Sequence, residues 1–414
     1  MPATCGQALR PAGGLEARRT PGARRCFTLP RPGHRFVLLL IAGLGLSLAS
    51  RACASPWPPV ETDLPVHPSL HSGTLPNGVR YLFYPNDQPR ERVSLRLLVA
   101  VGAAHERDDE VGLAHFIEHM AYRGTRRYPA GSLTAALQRL GVGIGPDSSA
   151  FTFYEYTVYH LELPDGTDAT LREGLRVFRE YAEGITFATE GIETERGVVL
   201  SELATRDTPQ QRAQFANQRF LWPDSQFAAR PIGGTTTSLR SFRREHFQAF
   251  YDAWYRPERL AVVVVGPINP PAVASLLAAE LGSLASRAPA REEPSAITPE
   301  RAHRPDVDIF ADPGLIGAQI SFQHPRRVER TPDSHARRVE LLHLGLAFAM
   351  FQERLQRLAQ APGASFVTPL AQLSTPFRDW QLATFSVATR IDNWKAAFRE
   401  VEQEHRRVYL HGFT

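Results

Sequence analysis

The chain has 414 residues, of which 43% are hydrophobic and 22% charged, and its formal net charge is +4. These values are typical of a folded soluble protein with two or three domains. The first 54 residues hold eight arginines and one acid, and without these seven net positive charges the remainder carries −3. That remainder has no basic stripe with interleaved aromatic residues, which argues against a nucleic-acid partner.

Residues 1–54 predict a signal peptide. Seven of the arginines precede an apolar run at residues 36–49, which is shorter than the roughly 20 residues that a membrane-spanning helix needs. The small residues Ala52, Cys53 and Ala54 favour cleavage before Ser55, so we expect export to a bacterial periplasm and no membrane span after signal removal. Two alternatives stay open, a lipoprotein anchored through Cys53 and a mitochondrial transit peptide.

All three cysteines, Cys5, Cys26 and Cys53, lie in this leader. The mature chain therefore has neither a disulfide nor a thiolate ligand. Any metal site must use histidine and carboxylate side chains.

After a Pro-rich extended lead-in at residues 55–72, the patterns predict a mixed α+β order rather than regular βαβ units. Asn77-Gly78 between apolar runs predicts a hairpin over residues 74–84. Further strands are expected at 93–101, 150–163 and 260–265, and helices at 111–123, 132–140, 169–185, 190–205 and 239–254.

Composition also predicts the domain organisation. A domain over residues 73–285 is followed by an Arg-, Glu-, Pro- and Ala-rich linker at 286–304. Strand-like runs at 307–310 and 318–322, with helices from 334, then open a second module at 305–414. We expect this module to be incomplete, because it has only about 110 residues and no cap or charged tail after its last helix.

The run His-Phe-Ile-Glu-His carries the clearest chemistry. On a helix, His115 and His119 lie one turn apart on one face and can both present a nitrogen to one metal ion. Glu118 lies on the adjoining edge, where a carboxylate can take a proton from metal-bound water. Zinc suits such mixed nitrogen and oxygen ligands and keeps one position open for water.

A third protein ligand is then required. Glu195 and Glu202 lie about two turns apart on one face of the following helix, and either could reach the ion. The competing interpretation is a polar helix face with two solvated histidines. It is disfavoured because apolar Phe116 and Ile117 half-bury this helix, where two histidines and a glutamate need partners.

Residues 112–125, Gly-Leu-Ala-His-Phe-Ile-Glu-His-Met-Ala-Tyr-Arg-Gly-Thr, resemble the inverted-zincin motif of the pitrilysin/insulinase (M16) peptidases. Stretches similar to the same family recur in the family's order, at 75–78, 195–202, 230–233 and 250–257.

The resemblance implies a fold and a ligand set. His115, His119 and Glu202 would hold one Zn²⁺ per chain, with Glu118 as the base and Glu195 as a supporting acid. The fold would consist of M16 modules, each a mixed, largely antiparallel sheet packed by helices, one complete and one truncated.

The family also implies a substrate strand. Its Asn-Ala-x-Thr strand adds an extended peptide to a sheet edge, and the similar run here is Ser149, Ala150, Phe151 and Thr152. Ser149 replaces the asparagine; it can still donate one hydrogen bond but reaches less far than an amide.

The function expected from these features is a zinc endopeptidase that hydrolyses short, extended peptides through zinc-bound water. A second M16-like half or a partner subunit would close its chamber. The alternative is a noncatalytic M16-like partner or scaffold subunit. A purely structural zinc domain is disfavoured, because a structural zinc site is closed by four protein ligands, which usually include thiolates.

Overall fold

A computed structural model describes residues 62–223, 225–294, 306–329, 331–377 and 380–413. The predicted signal peptide, residues 55–61 of the lead-in and residues 295–304 of the predicted linker lie outside the described residues. The alternation of strands and helices confirms the mixed α+β fold class.

A six-stranded sheet forms the centre of the first domain. Its strands are β1 (His71–Thr74), β2 (Arg80–Pro85), β3 (Val93–Val99), β4 (Ser148–Thr152), β5 (Thr157–Leu163) and β6 (Leu260–Gly266). The spatial order is β1-β2-β6-β3-β5-β4, and all neighbours are antiparallel except the parallel pair β2–β6. Strand β4 therefore lies at an edge of the sheet.

The alternation of side chains explains how this sheet is covered. Leu95 and Leu97 of β3 are fully buried, whereas Arg96 between them is only partly buried. The buried face packs against helices, and the opposite face carries polar side chains. One face of β4 consequently points toward the helices, and the other face lies among polar side chains.

Nine α-helices accompany the sheet in the described part of this domain. They are α1 (Leu113–Met120), α2 (Ser132–Arg139), α3 (Asp168–Arg179), α4 (Thr189–Arg206), α5 (Pro209–Leu221), α6 (Gln226–Ala229), α7 (Thr236–Ser241), α8 (Arg244–Trp254) and α9 (Pro270–Leu281). Helix α3 continues into a π-helical turn at Glu180–Gly184. Phe116 of α1 packs edge-to-face on Phe247 of α8, with ring centroids 4.8 Å apart.

Two predicted elements are wrong in their extent. The strand expected at 150–163 is a hairpin, β4 and β5, in which the Phe153 N–H closes the turn on the Tyr156 carbonyl at 2.8 Å. The helix expected at 239–254 is broken between α7 and α8. The Arg196 guanidinium binds the carbonyls of Leu239 and Phe242, which a continuous helix would use internally.

The second module is a three-stranded antiparallel sheet with two long helices. Its elements are β7 (Ala318–Arg327), α10 (His335–Gln360), β8 (Val367–Phe377), β9 (Trp380–Thr389) and α11 (Trp394–His411), and the sheet order is β7-β9-β8. The strand expected at 307–310 is wrong, because these residues are irregular and pair with no described strand; Val307 is 82% exposed.

Side chains connect the module and the linker to the first domain. Trp222 and Phe227 form a cluster with Phe377 and Trp380. Within the described part of the predicted linker, the Arg291 Nη1 lies 2.8 Å from the Glu110 carboxylate. None of the helices described here has the length and hydrophobicity needed to cross a membrane.

Candidate metal centre

The start of helix α1 is fixed by its neighbours. The Glu106 carboxylate accepts hydrogen bonds from the backbone N–H groups of Gly112 and Ala114, both at 2.8 Å, which satisfies donors that the first helical turn leaves free. Gly112 has φ = +94°, and a Cβ there would lie 2.5 Å from the Cα of Gly234. Glycine and a capping carboxylate thus hold the helix that carries both histidines.

The side chains of His115, His119 and Glu202 converge on one point. One ligand atom from each lies within 4.8 Å of the others. The Nε2 atom of His119 is 3.3 Å from Glu202 Oε2, and the Nε2 atom of His115 is 3.7 Å from Glu202 Oε1. Helix α4, which carries Glu202, packs directly on α1, so the cluster joins two helices of one rigid core.

The hydrogen bond of His119 fits a bound metal. The Nδ1 of His119 lies 2.8 Å from Glu195 Oε1, and a carboxylate partner there requires an N–H, so the neutral ring presents an unprotonated Nε2 toward Glu202. His115 is buried, and its Nδ1 has no hydrogen-bond partner among the described residues. Two imidazoles and one carboxylate with an open fourth position suit zinc.

Glu195 lies outside this three-residue cluster. It is buried behind His119 and also accepts a hydrogen bond from Arg123. Burial opposes its ionisation, but the hydrogen bonds from His119 and Arg123 outweigh burial and lower the pKa of Glu195. An ionised Glu195 orients the imidazole and increases its basicity.

Glu118 is buried beside the cluster, and a hydrogen bond from the predicted substrate strand fixes its position. The hydroxyl of Thr152, at the end of β4, donates to Glu118 Oε2 at 2.7 Å. Burial raises the pKa of Glu118 above its ordinary value, although the Thr152 hydrogen bond acts in the opposite direction. The arrangement gives a carboxylate with increased proton affinity at a fixed position.

The two histidines differ in their electrostatics. Burial, with the charges of His119 and Arg206, lowers the pKa of His115 to about 3. Burial also disfavours charge on His119, but the Glu195 hydrogen bond and the charges of Glu118, Glu195 and Glu202 outweigh it and raise the pKa of His119. His115 is therefore unprotonated at neutral pH and can bind a metal directly, whereas the raised pKa of His119 means that this ring releases its second proton less readily than an ordinary histidine.

The four predicted substrate-strand residues lie on β4, the edge strand nearest to the cluster. Their side chains alternate: Thr152 points toward α1 and Glu118, whereas Ser149 lies on the opposite face beside His160 of β5. Phe151 is 42% exposed. On its outer side, β4 has a single bridge, between Ile144 and Ser148, and no neighbouring strand among the described residues.

Sequence reasoning missed several residues that hold this site. Arg123 and Arg206 bind Glu195 and Glu202 respectively, and Glu106 caps α1. Spacing offered a signal for the first two: Arg206 lies four residues after Glu202 on α4, and Arg123 lies four residues after His119, in the turn that follows α1. The cap joins residues on separate segments, which spacing alone does not reveal.

A buried glutamate beside a His-His-Glu cluster, on an α+β domain with a free sheet edge, has the features of a metal-dependent hydrolase site. Two family models match the chain. Residues 81–219 match the insulinase family, peptidase family M16, and residues 241–411 match the M16 inactive domain. The chain belongs to the M16 peptidase family.

The relatives include zinc proteases. A probable zinc protease PqqL from Escherichia coli is 26% identical over 380 residues, which cover 92% of this chain and 40% of that protein. A probable zinc protease PqqL from Haemophilus influenzae is 34% identical over 226 residues, 55% of this chain and 24% of that protein. The chain thus spans less than half the length of either relative.

Solved structures agree. The crystal structure of the periplasmic protease PqqL from E. coli matches with a TM-score of 0.75 and 26% identity, covering 85% of this chain and 39% of that chain. The family and its fold are therefore shown, and the relatives indicate zinc as the metal.

Proposed function

We propose that this protein is a zinc-dependent endopeptidase that hydrolyses short, extended peptides. The observation that carries the proposal is the convergence of His115, His119 and Glu202 within 4.8 Å, with the buried Glu118 carboxylate beside them. His115, His119 and Glu202 would hold one Zn²⁺, and Glu195 would orient His119.

Glu118 acts as the general base. When bound, zinc supplies Lewis-acid chemistry that polarises the peptide carbonyl and increases the acidity of the attacking water. The Glu118 carboxylate takes the proton of that water and delivers it to the leaving amine, a role that a raised pKa favours. The Thr152 hydroxyl keeps the carboxylate oriented during both transfers.

The peptide binds along the free edge of β4. An extended peptide there would extend the six-stranded sheet through backbone hydrogen bonds, which require no particular side chain. Because Thr152 of the same strand contacts Glu118, a peptide bond paired near the end of β4 lies close to the base. This arrangement favours unfolded or extended segments over folded ones.

The proposal includes a second half or partner subunit and a location. The PqqL relatives are more than twice as long as this chain, which supports an additional M16-like half that closes the chamber. The apolar run after the arginine-rich start, together with the description of the E. coli relative as periplasmic, supports export to the periplasm.

The test compares wild type with Glu118→Gln in zinc content and in the cleavage of unstructured peptides. We expect both proteins to bind zinc and the variant to lose at least about 100-fold in cleavage rate, because glutamine has no proton-accepting carboxylate. Glu190→Gln, at an exposed position on α4, is the matched control and should cleave normally. Zinc binding without cleavage by wild type, even with the second half restored, would favour the noncatalytic alternative.

A further inference from the structure

A chain of polar side chains crosses the open face of the sheet behind β4. Ser149 Oγ lies 3.2 Å from Nδ1 of His160, the residue directly opposite it on β5. The Nε2 of His160 lies 2.5 Å from Glu162 Oε1. Ser94 and Arg96 of β3 both donate to the same Glu162 oxygen, at 2.8 and 3.1 Å.

These contacts fix the state of Glu162. Burial opposes its ionisation, but the hydrogen bonds from His160, Ser94 and Arg96 outweigh burial and lower the pKa of Glu162. An ionised carboxylate only accepts hydrogen bonds. The atom of His160 that faces it must therefore carry the proton.

The tautomer of His160 follows. With the proton on Nε2, a neutral imidazole has a lone pair on Nδ1, and the only hydrogen available between Nδ1 and Ser149 Oγ belongs to the serine hydroxyl. With the His160 ring neutral, Ser149 donates its single proton inward to His160. Its oxygen keeps two lone pairs for a partner outside the sheet.

Ser149 is placed to meet such a partner. It is half-buried on the edge strand, and a peptide added to β4 would put one side chain directly across from it on the same face, at a Cβ separation of about 5 Å. The partner atom must be a donor, because the Ser149 proton is already used. An asparagine amide here would offer both donors and an acceptor.

We propose that His160 and Glu162 are positioning residues that make Ser149 an acceptor, so that the site selects a hydrogen-bond-donor side chain in the peptide. This inference rests on the proposed function, since it assumes that peptides add to β4. It adds two residues, His160 and Glu162, to the determinants of specificity.

The test measures binding of peptides to zinc-loaded Glu118→Gln protein, which separates recognition from turnover. Each position of one peptide is replaced in turn by two isosteric pairs: serine against 2-aminobutyrate, and O-methylserine against norvaline. Serine offers a donor and an acceptor, whereas O-methylserine offers only an acceptor. We expect one position at which serine binds about three- to tenfold more tightly than 2-aminobutyrate, while O-methylserine gains nothing over norvaline.

Two variants report on the mechanism. Ser149→Ala should remove the serine preference at that position. His160→Phe frees the Ser149 proton, so O-methylserine should now bind more tightly than norvaline, an effect that a loss of stability alone would not produce. If His160→Phe does not fold, the ratios of peptide affinities measured with Ser149 present and with Ser149→Ala still test the inference.

The inference is overturned if no position prefers serine, if Ser149→Ala keeps the preference, or if O-methylserine already gains over norvaline with His160 present. Absence of any peptide binding overturns it as well. Cleavage by wild type judges the proposed function separately, because a protein that cleaves peptides without this donor preference retains its activity and refutes only the role of His160 and Glu162.

Discussion

The two regions of the molecule differ in how completely they bury their apolar residues. The first domain has a single large core of strands and helices, centred on residues such as Leu97, Phe116 and Phe247, none of which is exposed. The core of the second module has seven buried residues: Phe351, Leu355, Phe366, Ala371, Val387, Ala397 and Val401. Helix α10 leaves Leu342 and Leu346 more than half exposed.

This difference shows where a metal centre can be built. Buried histidines and a buried glutamate are costly, and they persist only where dense packing holds their partners in place. Helices α1 and α4 provide that packing in the first domain. The described part of the second module contributes no residue to a metal-binding cluster, in keeping with its match to the inactive M16 domain.

The largest contrast is expected from core truncations. Phe116→Ala removes a fully buried ring that packs on Phe247 and should lower the free energy of unfolding by about 3–5 kcal/mol. Phe398→Ala removes a ring that stacks on Phe322 but is 43% exposed, and should cost less than about 2 kcal/mol. Denaturant unfolding measures both values. Equal losses would contradict the contrast in packing.

Zinc should stabilise one region selectively. At a free concentration about 1,000 times its Kd, a ligand that binds only the folded state adds about 4 kcal/mol. We expect zinc to slow amide hydrogen exchange in α1 and α4 and to leave β7, β8 and β9 unchanged, since the cluster lies wholly in the first domain. Uniform slowing in both regions would mean that they unfold together.

Glu195→Gln tests the support of the ligand His119. Replacing the charged acceptor of the Nδ1 hydrogen bond by a neutral amide should weaken zinc binding about 10- to 100-fold without removing a ligand. Glu190→Gln on the same helix serves again as the control and should bind zinc as wild type does. A loss as large as that of Glu202→Gln would instead assign Glu195 a direct role in coordination.

The smallest effect expected is the pH dependence of zinc affinity. Burial alone would lower the pKa of His119, but its hydrogen bond with Glu195 and three nearby carboxylates outweigh burial and raise the pKa. The folded apo protein therefore keeps the second imidazole proton of His119 to a higher pH than an ordinary histidine would. Zinc must displace it, and affinity should fall by up to about tenfold per pH unit below that pKa. Calorimetric titration from pH 5 to about 8 measures the slope.

His115 should add nothing to that slope in the same range, because its pKa is lowered to about 3. Glu195→Gln should move the onset of the slope to lower pH, since it removes the negative charge that favours the protonated form of His119. A pH-independent affinity would contradict the proton displacement from His119.

Local pattern predicted the elements whose hydrophobic periodicity runs unbroken from end to end. The strands β3 and β6 and the helices α1, α2 and α4 lie within two or three residues of their predicted bounds. The failures occur where a distant contact intervenes. Arg196 breaks the helix expected at 239–254 by binding two of its carbonyls, and the aromatic run at 150–163 reverses direction at Phe153.

The same distinction holds at the site. The sequence by itself determined that His115 and His119 share one helix face, that Glu118 adjoins them and that residues 55–414 offer no thiolate, because helix geometry and composition are local properties. Spacing alone left Glu195 and Glu202 as alternatives, and the family resemblance favoured Glu202. The tertiary structure separates the two, since the packing of α4 on α1 puts Glu202 at the histidine Nε2 atoms and Glu195 behind His119.

The strand pairing also brings His160, and through it Glu162, to Ser149, and the proposed hydrogen-bonding role of Ser149 rests on this contact. Such roles depend on partners that the fold, and not the spacing along the chain, brings within hydrogen-bonding distance.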